Sequence, residues 1–499
     1  VQLSSTGTGQ VLLFPYYTVR NGFVTQVSLT NTQANIKAVK LRFREARKSR
    51  SVFDFNLFLS ANDTWTGAVV DTAQGARLVT NDNSCVTPSD LFTEVRSDGL
   101  GLALNAFKNY AYTGSNADAG EPVGLDRTRE GYFEVFEMGV IDPTLSSTAL
   151  QLAGYTSQGT ITSNCAALDA FDPGSARPTS FPNTGASMLS APRGGLSGRA
   201  SLINAATGAN FSFEPTVLDA FTTQVAYGGA GRDNPSLADA QPATSTVLMP
   251  AGAVVANWSN GQHAVSAVLM RTSITNEFVL DDGTASQTDW IVTYPTRPYY
   301  VDRPSTFMAD PPFTASCDWY MPQVIDREGK SAFQAVICPA TRPPAEDARQ
   351  LCKATNVLAL AFTGAPGSAG RVPSSLLASQ VLANVGQDGA RCGEQGLTAA
   401  LNTYTLAGAA TTPSLRGQSQ GPNGFISLQY SETGDYRITP RPALIPIAAT
   451  LLTGTGSRAI PGFHYGMPVI GLMLHNYKNA NVTSRYGGVL EHRYTLRIE

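Results

Sequence analysis

Between Phe23 and Val70 the chain alternates apolar and polar residues with a period of two, and this pattern constrains the fold most. Phe23, Thr25, Val27 and Leu29 alternate with Val24, Gln26, Ser28 and Thr30. Val39, Leu41 and Phe43 then alternate with Lys40, Arg42 and Arg44, and Phe53, Phe55, Leu57 and Leu59 interleave with Asp54 and Asn56. Successive side chains of a strand point to opposite faces, so the pattern marks antiparallel strands with one buried face. Gln10–Val19 is a β-rich run, and the Asn21-Gly22 dipeptide after it favours a type I′ hairpin turn. Asn62-Asp63 turns the chain into a further strand, Trp65–Val70. A strand roughly every ten residues predicts an antiparallel β-sandwich of the immunoglobulin-like kind over residues 1–150.

Beyond this region the signal is β-like but looser. Gly131–Val140, Ser245–Met249, Ala264–Arg271, Trp290–Tyr294, Ala332–Cys338, Gly424–Tyr430, Val469–Leu474 and Tyr494–Ile498 read as strands. Residues 156–240 are rich in Gly, Ser, Asn and Pro and read as long loops with short strands. Leu376, Leu377, Val381 and Leu382 make Pro373–Val385 the best helix candidate. The expected class is mainly β with few short helices. A loop-rich region over 151–300 and a disulfide-bonded region over 301–499 follow the sandwich, with 151–499 also readable as one unit.

Charge excludes several functions. Charged residues make up 15% of the 499, against about 25% in an ordinary soluble domain. A net charge of -3 gives no electrostatic reason to bind nucleic acid or an anionic membrane. The longest largely apolar stretch, Ala443–Leu452, is shorter than the ~20 residues a membrane helix needs. The start at Val1 fits a mature chain after signal-peptide removal. The cysteines form no CxxC pair and no cluster with His263, His464, His475 or His492, so zinc is poorly supported. Their even number in a chain that reads as exported predicts three disulfides. Cys85 and Cys165 stand alone in the first third and are expected to pair. The last four allow three connectivities, of which Cys317–Cys352 with Cys338–Cys392 is favoured because Cys317 and Cys352 each lead toward an apolar run.

Catalytic motifs are missing or misplaced. Gly417-Gln418-Ser419-Gln420-Gly421 matches GxSxG, but a poor strand precedes it and a turn follows, where a nucleophile elbow needs strand then helix. Gly329-Lys330-Ser331 ends like a phosphate loop, but Val324 stands where its first glycine belongs. Glu134 and Glu137 fall on opposite strand faces and cannot act as a facing acid–base pair. His464, between Phe463 and Tyr465, and His475 read as packed rather than catalytic. The chain reads as a non-enzyme with no cofactor and no metal centre. Asp82 and the turn Asp281-Asp282-Gly283 offer oxygens only to a structural calcium. The N-x-S/T sequons at Asn62, Asn210, Asn257 and Asn481 matter only in a glycosylating host.

Two features point to contacts. Lys40, Arg42 and Arg44 share one strand face in the densest basic run, either a solvated face or a surface for an acidic partner or neighbouring subunit. At the N-terminus, Val1 and Leu3 flank Gln2 ahead of a small-residue spacer, Ser4–Gly9. Tyr494, Leu496 and Ile498 alternate at the other end. Such termini suit strand addition to a neighbour's sheet.

The stretches GQVLLFPYYTVRNG, KAVKLRFREARKSRSVFDFNLFLSANDTWTGAV, GYFEVFEMGV, TDWIVTYPTRPYYVD and YGMPVIGLMLHNY resemble blocks of an uncharacterised family of secreted, β-rich proteobacterial surface proteins. The resemblance implies export and an extracellular or cell-surface location, and it brings no activity or catalytic residue. The leading expectation is a structural subunit of an extracellular filament, sheath or surface layer, with itself as partner in a homopolymer. The alternative is a monomeric adhesin binding cell-surface glycans through Tyr294–Tyr300, Trp258 and Trp319.

Overall fold

The computed structural model describes residues 1–92, 97, 101–145, 165, 187–279, 286–301, 312–313, 318–326, 329, 349–362, 375–382, 403–406, 423–430, 443–478 and 485–499. The fold is mainly β, built from several antiparallel sheets.

The first third of the chain supplies β1 (Gln2–Leu3), β2 (Val11–Thr18), β3 (Val24–Asn31), β4 (Lys37–Glu45), β5 (Ser51–Leu59), β6 (Thr64–Thr72), β7 (Gly75–Val79), β8 (Cys85–Thr87) and β9 (Glu130–Ile141). Then come β10 (Leu189–Ser190), β11 (Leu196–Asn204), β12 (Ala209–Phe213), β13 (Thr216–Asp219), β14 (Thr244–Met249), β15 (Gly252–Asn257) and helix α1 (Gly261–Leu269). The larger sheet runs β25-β24-β15-β14-β1-β13-β2-β9-β4-β5-β8, where β24 is Ala448–Thr453 and β25 is Gly456–Ile460, and β10 pairs with β9. A five-stranded sheet, β12-β11-β3-β6-β7, covers one of its faces.

Alternation explains the core between them. Leu12, Phe14, Val39, Leu41, Phe43, Phe55, Phe133 and Val135 project from the larger sheet toward Val27, Leu29, Trp65, Val69 and Leu202 of the smaller one. Phe133 stacks on Phe14 at 4.2 Å and on Phe43 at 5.0 Å between ring centres. The expected sandwich is therefore present, and strands β11, β12 and β13 from beyond residue 189 help to complete both of its sheets.

The second half adds β16 (Met270–Arg271), β17 (Ser273–Val279), β18 (Gln287–Thr293), β19 (Asp318–Asp326), β20 (Arg349–Leu351), β21 (Thr355–Phe362), β22 (Thr403–Leu406) and β23 (Asn423–Gln429). It ends with β26 (Met467–Pro468), β27 (Ile470–Lys478), β28 (Arg485–Glu491) and β29 (Arg493–Thr495). The sheets β20-β19-β23-β17-β29 and β22-β21-β18-β27-β28 enclose an aromatic core that includes Phe278, Trp290, Tyr294 and Tyr430. Ile291, Val357, Leu472 and Leu474, on the far face of the latter sheet, join the core of the first sandwich.

Three expectations are corrected. Asn21 and Gly22 adopt φ of 54° and 75°, as a type I′ turn requires, yet β2 and β3 lie in different sheets. The turn is a corner between layers rather than a hairpin, fixed by Thr25 Oγ1, which bonds both the amide and the carbonyl of Thr18. The run read as the strand Ala264–Arg271 is mostly helix α1. The Asn260 side chain caps it by accepting the His263 amide, and the apolar residues then wrap a helix buried on several sides. Conversely, the described part of the helix expected over Pro373–Val385 is a turn. Asp289 Oδ2 accepts Ser375 Oγ and the Leu377 amide, Glu130 accepts Ser379 Oγ and the Gln380 amide, and Ala378 takes φ of 50°. Two buried carboxylates thus take donors that a helix would use internally.

Cys85 and Cys165 form a disulfide, as the sequence led us to expect. Cys352 is also disulfide-bonded. Cys317, Cys338 and Cys392 lie outside the described residues, as does the strand expected at Ala332–Cys338.

Candidate functional site

The basic run on β4 lies inside the molecule. Lys40, Arg42 and Arg44 do share one face of the strand, but the segment 229–235 crosses over it. Lys40 Nζ donates to Gly229 O at 2.6 Å, and Arg42 donates to Arg232 O and Pro235 O, both at 2.8 Å. Carboxylates on the flanking strands complete the layer: Asp54 is 3.2 Å from Lys40, and Glu134 accepts from Arg44 Nε at 2.8 Å. All three cations are buried, so this face meets neither solvent nor a neighbour. The reason is long-range: the covering segment lies some 190 residues away in sequence. Glu134 and Glu137 serve different cations, Glu137 pairing with Lys37 at 2.6 Å. Burial lowers the Lys37 pKa and raises that of Glu137.

The termini are likewise paired within the chain. Gln2 and Leu3 pair antiparallel with Asp219 and Leu218, Gln2 also lies parallel to Thr246, and Val1 is buried. Tyr494 pairs with Ile274, Ile498 bridges to His464, and Leu496 and Ile498 pack against the apolar cluster around α1.

The aromatic residues offered for sugar stacking are interior. Tyr294, Tyr300 and Trp258 are buried in the cores, while the Trp319 side chain lies outside the described residues. His464 is packed: its Nδ1 lies 2.8 Å from Gly462 O and its ring meets Trp258 edge-on. His492 wedges between Ile291 O and the Asn276 amide against Trp290. Burial depresses both imidazoles to about 4. Asp82 closes a turn by accepting the Ser84 amide and hydroxyl. Ser419, Lys330, Ser331 and Asp281-Asp282-Gly283 lie outside the described residues. Among the described residues no three His, Cys, Asp or Glu side chains gather to hold a metal, and no helix is long and apolar enough to cross a membrane.

A different surface stands out. β25 is the last strand of the larger sheet, has β24 as its neighbour there, and is exposed along nearly its whole length. On the outer face beside it, Leu248, Ala253, Leu452 and Ser457 form one cross-strand row, and Thr246, Val255, Thr450 and Ala459 form the next. Neither row holds a charge. Leu248 is 73% exposed and Leu452 42%, and in the segment entering β24, Ile445 is 64% and Ile447 72% exposed. In the sequence, Ala443–Leu452 stands out only as an apolar stretch too short to span a membrane. The local signal for the β24–β25 hairpin is the two-residue, glycine-first loop Gly454-Thr455.

These features define a large, mainly antiparallel β protein of packed sheets, with an exposed sheet edge at β25 beside uncharged outer rows. No protein-family model matches the chain, nor does any curated protein or solved structure.

Proposed function

We propose that the chain is a structural subunit of an extracellular filament, sheath or surface layer, and that copies join through β-strand contacts. The observation that carries this reading is the open edge at β25 beside the uncharged rows led by Leu248 and Leu452. An edge strand presents unpaired backbone donors and acceptors to any extended partner, and folds usually blunt such edges with charge. Here Arg458 is the one charged residue on the strand. An identical copy meets no like-charge repulsion on the outer rows, and burying a leucine contributes roughly 1.5–3 kcal/mol. Gln2–Leu3 and Arg493–Thr495 are already paired within the chain, so the reading assigns the contact to this edge. The Cys85–Cys165 disulfide supports an oxidising, exterior location.

Sedimentation and negative-stain microscopy of the purified chain test the reading. Concentration-dependent oligomers or fibres are expected. A strictly monomeric particle at high concentration overturns it.

A further inference from the structure

Several buried cations in this fold sit against carboxylates: Lys37 on Glu137, Lys40 on Asp54, Arg44 on Glu134, Arg127 on Glu45 and Arg297 on Asp318. Arg271, only 5% exposed, has no carboxylate partner among the described residues. Its Nη1 donates to Val268 O at 3.0 Å and to Met270 O at 2.7 Å, capping the C-terminal end of α1. The Tyr494 ring lies over the guanidinium, 3.8 Å from its Cζ. Both hydrogen bonds use one nitrogen. The Nε–Nη2 edge has no protein partner among the described residues.

That edge is the part of arginine that grips a carboxylate through two parallel bonds. The carbonyls at the end of α1 offset only about half a charge, and a buried cation gains most from a full counter-charge. Burial brings Arg271 down to about 10, so the charge persists at neutral pH. Tyr494 is 46% exposed and covers one face of the guanidinium.

We propose that Arg271, roofed by Tyr494, is a carboxylate-binding site. The acid comes either from solution or from an acidic side chain of a neighbouring copy, and the second source rests on the assembly proposed above.

Calorimetric titration of the full chain with citrate tests the site, alongside Arg271→Gln, Arg271→Lys and Tyr494→Ala. Binding to the unaltered chain is expected to weaken roughly tenfold or more in both arginine variants, because lysine lacks the fork, and severalfold in Tyr494→Ala. Tyr494→Ala alters a half-exposed residue and keeps the test open if the Arg271 variants do not fold. No citrate binding, or binding equal in all folded variants, overturns the proposal. Sedimentation separates the sources: association that citrate competes away and Arg271→Gln abolishes assigns the acid to a second copy. Association insensitive to both, together with citrate binding that needs Arg271, assigns it to solution. Citrate binding without any association supports the site and sinks the assembly.

Discussion

The Arg127 guanidinium donates to both oxygens of Glu45, from Nε at 2.7 Å and from Nη2 at 2.9 Å, and neither side chain is more than 1% exposed. The same carboxylate accepts the backbone amides of Arg47, Lys48 and Arg50. One acid therefore folds the connection between β4 and β5 and pins it to the short turn that precedes β9. Glu45→Gln keeps the shape but leaves the buried Arg127 with Asp118 as its remaining counter-charge. We expect a loss of about 1–3 kcal/mol in urea unfolding. Arg199→Ala, which removes an exposed pair with Glu214, serves as the control and is expected to change stability by less than about 0.5 kcal/mol.

The Cys85–Cys165 bridge closes a loop of 80 residues. Chain-entropy reasoning assigns such a loop about 4 kcal/mol, acting mainly by restricting the unfolded chain. Cys85→Ala with Cys165→Ala is expected to lower the urea midpoint by a corresponding amount while leaving the far-ultraviolet circular dichroism β-like. An unchanged midpoint rules the bridge out as a stabilising element.

How much of this was legible in the sequence depends on the range of the forces involved. Alternation in β3 and β6 reports a local fact, one buried face, and the structure repeats it residue for residue. The same alternation in β4 misled, because a strand covered on both faces by distant chain keeps a polar face only when buried counter-ions and carbonyls are supplied from elsewhere. Nothing near Arg42 in sequence announces Pro235. The helix at Gly261–Leu269 was missed for another reason: a short apolar run fits both periods, and the Asn260 cap was the deciding signal. The β24–β25 hairpin has a local signal in Gly454-Thr455, but its place at the end of the sheet depends on strand order.

Acid sensitivity follows from the buried imidazoles. His464 and His492 are held neutral by burial, at about 4 against 6.5 for free imidazole. The unfolded chain binds these protons first, so stability falls as the pH drops from about 6.5 toward 4, by about 3 kcal/mol per histidine at the limit. Asp289 works the other way. Burial raises it to about 6, so protonation in the folded state adds stability as the pH falls below that value. Two histidines against one aspartate leave a net loss. The urea midpoint is expected to decline between pH 6.5 and 4.5, and to decline less in His464→Phe, whose ring retains the contact with Trp258. A midpoint independent of pH across this window contradicts the argument.

The edge itself offers the sharpest test of assembly. Ala459 projects from the uncharged outer face on β25, in a row with Thr450 and Val255. Ala459→Lys puts a charge on an exposed position of the strand, so the folded subunit is expected to lose no more than about 0.5 kcal/mol. Two copies meeting edge to edge would then bring lysines into one uncharged layer, the device by which natural sheets resist pairing. Leu452→Asp acts on the neighbouring row by removing apolar area and adding charge. Each variant is expected to weaken self-association at least roughly tenfold by sedimentation, with the monomer's unfolding curve unchanged. If both variants associate like the unaltered chain, the joint between copies lies on another surface, and β25 is an exposed edge without a partner.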